Sequence, residues 1–299
     1  MRTLLCIIGL VENPELIWPN LKKHVIDVLD ADVCLAGPTG HAPSEIDLKY
    51  KFEYDETKGD LHDAYDFMRK CENGSEWRDL KVIKDNWIGP LGEECVGTGG
   101  ITVFYRWFLW KSLHDRDLID EYDQFIITRG DYLHVADIMK PVKDTILIPG
   151  YEFHGGVCDR FAIVPREYVA KFLRLGTDIV NKPEELINLY RERRRWPFVK
   201  VMNGWNGETF LFIMLMRTRL WEHISFYKPT MFTARSIPPA ARFCHTTYSD
   251  VYKCYLKYTN EYRLVVDNIK TGTCNFIHPV SAVDWGYTDP ESGCMCGRI

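Results

Sequence analysis

The residues of this 299-residue chain best suited to chemistry are acids that stand beside apolar runs. Asp131 closes Thr128-Arg129-Gly130-Asp131, directly after the apolar run that begins at Phe125. A carboxylate at the end of a buried strand can hold Mg²⁺ or Mn²⁺ against a diphosphate, because both ions take oxygen ligands. Arg129 beside it can grip phosphate oxygens with its planar fork. The same residues also make an ordinary surface turn with an internal Arg–Asp pair. Asp159 follows His154-Gly155-Gly156. Two glycines let a backbone approach a ligand closely, and the acid can accept a hydroxyl proton. A tight turn with a solvated acid is the alternative. Glu208, in Asn206-Gly207-Glu208-Thr209, opens an apolar helical run, a rigid start for a general base. The helix dipole favours an acid there anyway, so capping alone accounts for it. Arg191, Arg193, Arg194 and Arg195 suit an anionic acceptor or membrane surface, and equally a solvated helix end. There is no Ser nucleophile elbow, P-loop or zincin motif, and neither His154 nor His245 has metal-ligand spacing to another histidine.

The elements that must position these acids read as alternating strands and helices. Arg2–Val11 is dense enough in Leu, Ile and Cys for a strand buried on both faces. Asn13-Pro14-Glu15 starts a helix, with Asn as cap and Pro in the first turn. Ala31–Ala36 is a second strand. A strand–helix–strand unit within 40 residues opens an α/β sheet, and the lack of G-x-G-x-x-G disfavours a dinucleotide fold. A helix is expected near Asp60–Cys71, and an ordered loop or plain insertion over 85–92. A long helix is expected from Ile101 to about Leu118. Further strands fall at Phe125–Thr128, Thr145–Ile148 and Phe161–Val164, with helices at Arg166–Leu175, Pro183–Arg195 and Glu208 to about Glu222. Val199–Met202, Ser225–Tyr227 and Met231–Ala234 read as extended. The tail holds two strand-like runs, Val251–Tyr258 and Tyr262–Val266.

Composition bounds the function. An apolar fraction of 46% with 26% charged residues is that of a globular chain able to bury its own core. With 42 acidic against 37 basic residues, a net charge of -5 argues against a nucleic-acid partner. Aromatics at 13% suit sugar or nucleotide stacking, and equally a large core. The ten cysteines fit no framework and several sit in apolar strands as buried thiols, which points to a reducing cytoplasm. Cys294 and Cys296 could hold a metal or pair with Cys274, without a second paired motif in support. No apolar run is long enough to span a bilayer, so neither leader nor membrane anchor is expected.

The pieces, in this order, resemble nucleotide-sugar glycosyltransferases with the GT-A fold. Leu5–Gly9, the helix with Pro19-Asn20-Leu21 and Ala31–Val33 look like their first βαβ unit. Tyr122–Asp131 looks like the strand with their diphosphate motif, and Gly155–Ile163 and the Glu208 helix follow in sequence. Enzymes of this appearance build capsid glycans in the host cytoplasm of large chlorella-type algal viruses, and a β-xylosyltransferase is the nearest likeness. The resemblance implies an open, mostly parallel α/β sheet. Residues 1–131 would form the nucleotide-sugar half, 132–244 the acceptor half and 245–299 a C-terminal extension. A nucleoside diphosphate sugar, a UDP-sugar by preference, would lie over Gly9, Leu10 and Ala36, with Arg106 and Arg129 near its phosphates. Asp131 would ligate Mn²⁺ or Mg²⁺; Arg129 stands where the usual Asp-x-Asp motif has its first acid, which puts the metal in question. His154, Gly155 and Gly156 would face an oligosaccharide or glycoprotein acceptor. Glu208 would be the base of an inverting transfer, with Asp159 close behind. A nucleotide-sugar- or glycan-binding protein that lost catalysis, and a nucleotidyltransferase, remain alternatives.

Overall fold

The structure, a computed structural model, describes residues 1–11, 13–55, 61–77, 99–150, 156–192, 207–238, 247–272 and 277–278. The expected loop at 85–92, the strand at 199–202, the arginines from 193 to 195 and the cysteines at 274, 294 and 296 lie outside these residues.

Period-two side-chain alternation explains why the central strands are apolar throughout. In β1 (Thr3–Ile8), Leu4, Cys6 and Ile8 enter one apolar cluster, while Leu5 and Ile7 enter another on the opposite face. β2 (Asp32–Pro38) and β4 (Gln124–Arg129) divide in the same way: Cys34, Ala36, Phe125 and Ile127 to one side, Val33, Leu35 and Ile126 to the other. A strand covered on both faces needs such a run. With β3 (Tyr50–Tyr54), β6 (Ile146–Pro149), β7 (Phe161–Pro165), β8 (Ile224–Tyr227) and β12 (Ile277–His278), they form an eight-stranded sheet in the order β12-β8-β6-β7-β4-β1-β2-β3. Six strands run parallel; β7 and β12 run against them. The expected open, mostly parallel α/β sheet is present.

One face is covered by α1 (Pro14–Leu21) and α2 (Asp27–Leu29), joined by a π-helical turn at Lys22–Ile26. Pro19 lies inside α1 and has no N–H to give, so its turn cannot close in the ordinary way. Asn13 caps α1 by position but not through its side chain: it is left-handed at φ 61°, its carbonyl takes the N–H of Leu16 and Ile17, and its Oδ1 accepts the Ser236 hydroxyl. The other face carries α3 (Leu61–Glu72), α4 (Gly99–His114), α5 (Arg166–Leu173), α6 (Asp178–Asn181), α7 (Pro183–Glu192) and α8 (Gly207–Arg217). Tyr65, Trp77, Phe104 and Trp107 fill the core beneath them, so these aromatics serve packing. α4 and α8 stop earlier than expected, where Asp117 and Arg219 take left-handed turns.

A second sheet, in the order β10-β11-β9-β5, comprises β5 (Tyr132–His134), β9 (Met231–Arg235), β10 (Thr247–Ser249) and β11 (Cys254–Leu256). β5 is too short to show a period. The tail differs from its reading: the first run narrows to β11, and the second is not a strand but lies within α9 (Thr259–Lys270). Its buried positions, Glu261, Val265 and Asn268, repeat every three or four residues, a helical face that the β-branched pair Val265-Val266 disguised. Cys254, Leu256 and Val265 share a third apolar cluster with Ile17, Leu133 and Phe232.

Candidate active site

The strand order reverses around β1, which lies between β2 and β4, and the carboxyl ends of these strands are where an open α/β sheet binds ligands. β1 ends at Ile8, and the N–H of Gly9 directly after it reaches the Ala36 carbonyl at 2.8 Å. Leu10 follows and is exposed, whereas the Ala36 side chain is fully buried in the core. β4 ends at Arg129, and Gly130-Asp131 form the corner from the main sheet into β5 of the second. The two loops touch: a Cβ on Gly130 would stand 2.8 Å from the Leu10 carbonyl oxygen and 2.7 Å from Val11 Cα. Gly9, Leu10, Arg129 and Asp131 therefore meet at one edge.

Asp131 is 3% exposed and its Oδ2 is held by Arg129 Nη2. Its Oδ1 is buried with no hydrogen-bond partner among the described residues. Burial opposes the charge, but Arg129 and then Lys257 outweigh it and hold the carboxyl below the ordinary range. Arg129 is correspondingly held charged by Asp131 against its own burial.

β7 starts at the same edge, where the Arg129 N–H bonds the Arg160 carbonyl at 3.1 Å. The segment before β7 lies against the start of α8. Val157 N–H donates to the Glu208 carbonyl at 3.2 Å, and a Cβ on Gly156 would collide with that carbonyl, so only glycine fits. A Cβ on Gly207 would stand 2.7 Å from Asp159 Oδ2, which places the acid at the positive end of α8. Asp159 and Glu208, proposed from separate motifs, are thus neighbours. Arg106, buried on α4, donates Nη2–H to the Asp159 carbonyl. Burial lowers its proton affinity, while Asp159 and Glu208 act in the opposite sense. His154 and Gly155 lie outside the described residues.

The sequence reading gave no role to Arg160, which is 2% exposed and joins these groups. Its guanidinium lies 3.8 Å from Asp159 Oδ1, 3.9 Å from Glu208 Oε1 and 3.8 Å from Glu261 Oε1. It also donates to Thr233 Oγ1 at 3.3 Å and lies 4.9 Å from the Tyr258 ring centroid. Glu261, in the first turn of α9, accepts the Thr233 N–H at 2.9 Å. Lys257 adds a further cation near Asp131. A charged residue directly before a buried strand was the available signal for Arg160; Lys257 and Glu261 depend on tertiary contacts of the tail.

Chemically, the edge joins a group of cations to two carboxylates at a rigid helix start, Glu208 on α8 and Asp159 beside it. As a metal site it is poor. Among the described residues no group of three or more His, Cys, Asp or Glu side chains is placed to hold an ion. Asp131 offers one open oxygen, among Arg129, Arg160 and Lys257. A hard divalent ion needs about six oxygen ligands, so this donor set does not fit a resident cation. Cys6, Cys34, Cys158 and Cys254 are buried free thiols away from such a role, and Cys71 is exposed. No helix among the described residues is long and apolar enough to cross a membrane. No protein-family model matches the chain, and no curated protein matches it.

Proposed function

We propose that the protein is a glycosyltransferase that moves a sugar from a nucleoside diphosphate, a UDP-sugar by preference, to a glycan hydroxyl. The observation that carries this reading is the meeting of the Arg129–Asp131 corner with the carboxylates of Asp159 and Glu208 at the switch point of an open α/β sheet. Cations suit a diphosphate leaving group, and a carboxylate fixed at a helix start suits deprotonation of an acceptor. The likeness in sequence supplies xylose as the proposed sugar and a glycoprotein glycan as the proposed acceptor.

In the proposed step, the acceptor oxygen bonds to the anomeric carbon as the bond from that carbon to the diphosphate oxygen breaks. The electron pair leaves on the diphosphate, the acceptor proton passes to Glu208, and configuration inverts. Asp159, with its backbone tied to Arg106, stands beside Glu208 at the start of α8. Replacing Glu208→Gln keeps size and polarity and removes the base. The expected outcome is a fall in kcat of roughly 10²–10⁴-fold with donor affinity little changed; turnover near wild type would remove Glu208 from this role. A binding protein of the same fold is the second reading, favoured by Arg129 in place of a first acid. Slow release of nucleoside diphosphate from the donor, present in the wild type and absent in the Gln variant, separates the two.

A further inference from the structure

The second sheet brings a lysine into the cation group that the step above does not use. β11 sets Leu256 opposite Ala234, and the next residue, Lys257, donates its N–H to the Thr233 carbonyl at 3.2 Å. On the other side of β9, Thr233 stands opposite Tyr132 of β5, and the Ala234 N–H bonds the Asp131 carbonyl at 3.0 Å. Two residues of β9 thus have the Arg129–Asp131 corner on one side and Lys257 on the other, two strand spacings or about 10 Å apart. Between them the Thr233 hydroxyl accepts a bond from Arg160. The Tyr258 ring is shared, with Arg160 at 4.9 Å and Lys257 Nζ at 5.1 Å from its centroid.

The charges that act on Lys257 come from three neighbouring parts of the fold. Arg129 and Asp131 lie at the corner between β4 and β5, Arg160 before β7, and Arg235 at the end of β9. Burial first, then repulsion by Arg129, brings the lysine down to about 8, with Asp131 opposing. Arg129, Arg160 and Arg235 repel Lys257 and Asp131 attracts it, while Asp159, Glu208 and Glu261 stand around Arg160, so an anion beside Lys257 and Arg129 would lower the cost of keeping those cations charged. General basicity does not explain the group, since the chain carries a net charge of -5.

We propose that Lys257, together with Arg129, binds the donor's diphosphate, so that cations of the protein neutralise that group without a resident divalent ion. The identity of the ligand rests on the glycosyl-transfer reading; the anion site rests on the geometry just given. Arg129 offers a planar fork and Lys257 a point charge, two complementary ways to hold phosphate oxygens. The poor ion-ligand set at Asp131 and the cation brought by the tail are two sides of one arrangement.

The test is calorimetric titration of UDP, GDP and inorganic pyrophosphate in EDTA and then in Mn²⁺, on the full chain. At least one is expected to bind in EDTA. Protonated lysine holds the anion and neutral lysine does not, so nucleotide affinity should fall roughly tenfold from about pH 7 to about pH 9. Lys257→Met should lose about as much at neutral pH and flatten that dependence, whereas Lys257→Arg, charged throughout, should keep affinity at both. Binding only with Mn²⁺, equal in the wild type and Lys257→Met, would overturn the inference and leave the glycosyl-transfer reading standing. Failure of all three probes in both conditions would overturn both.

Discussion

Arg160 is the side chain through which three carboxylates of the site share one positive charge. A buried guanidinium flanked by Asp159, Glu208 and Glu261 cannot be removed without leaving those acids to repel one another. Arg160→Met should therefore cost about 3 kcal/mol or more in urea denaturation, and Arg160→Lys should recover part of it. A positioning role adds a signature that packing lacks. A carboxylate that loses a neighbouring cation takes up its proton more readily, so the acid limb of the kcat profile should move to higher pH in Arg160→Met and return toward wild type in Arg160→Lys. An unmoved limb would confine Arg160 to folding. Asp131 makes a second pH argument. Arg129 and Lys257 hold its folded-state titration below the ordinary value, so its stabilising effect is complete above about pH 3.9 and is lost as pH falls through the folded value. Asp131→Asn should be less stable than the wild type at neutral pH, with the gap closing in acid. A gap of equal size at both would show that the ion pair is not its source. The sequence made Asp131, Asp159 and Glu208 visible because each stands at an edge of an apolar run. Their convergence, with Arg160 at the centre, is set by contacts spanning 31 residues (Arg129–Arg160) and 48 residues (Arg160–Glu208), which no local pattern encodes.

α8 is the element on which the site depends most, and its place is fixed from its first turn. Phe210, Leu211, Ile213, Met214 and Leu215 bury it along its length, while Gly156 lets the Glu208 carbonyl approach the segment before β7. Gly156→Ala would drive a methyl group into that carbonyl. The expected cost is about 1–3 kcal/mol with a larger fall in turnover than in donor affinity, because the base is displaced while the cations are not. Equal losses in both would mean that α8 does not set the position of Glu208 alone. The long buried strands and the α8 helix were legible because burial on both faces leaves continuous apolar runs, and because Pro14, Pro165 and Pro183 punctuate the helices. β5, three residues long, and α9, whose buried face includes Glu261 and Asn268, lack those signals. What betrays α9 is not hydrophobicity but the spacing of residues that meet β9.

At the scale of the whole molecule, two sheets share the corner that holds Asp131, and the segment from β10 to α9 closes the second one. Cys254, Leu256 and Val265 cover Leu133 and Phe232, so a chain ending before Thr247 would forfeit roughly 5 kcal/mol of apolar burial. It should yield little folded protein; a cooperative, wild-type-like melt from that truncation would make the segment an independent addition. The same segment supplies Lys257, which ties the integrity of the second sheet to the charge of the site on the first. On the proposed reading, Arg129 and Lys257 at one sheet edge would draw a compact anion there although the chain as a whole has a net charge of -5. The most direct measurement is a thermal-shift panel of nucleoside diphosphate sugars, each with EDTA and with Mn²⁺. A ligand that binds only the folded chain stabilises it by about 2.7 kcal/mol at a hundred times its Kd, a visible rise in Tm. The expected result is stabilisation by one UDP- or GDP-sugar in EDTA, with no further gain from Mn²⁺. No shift with any donor in either condition would contradict the assignment of this edge to a nucleoside diphosphate sugar.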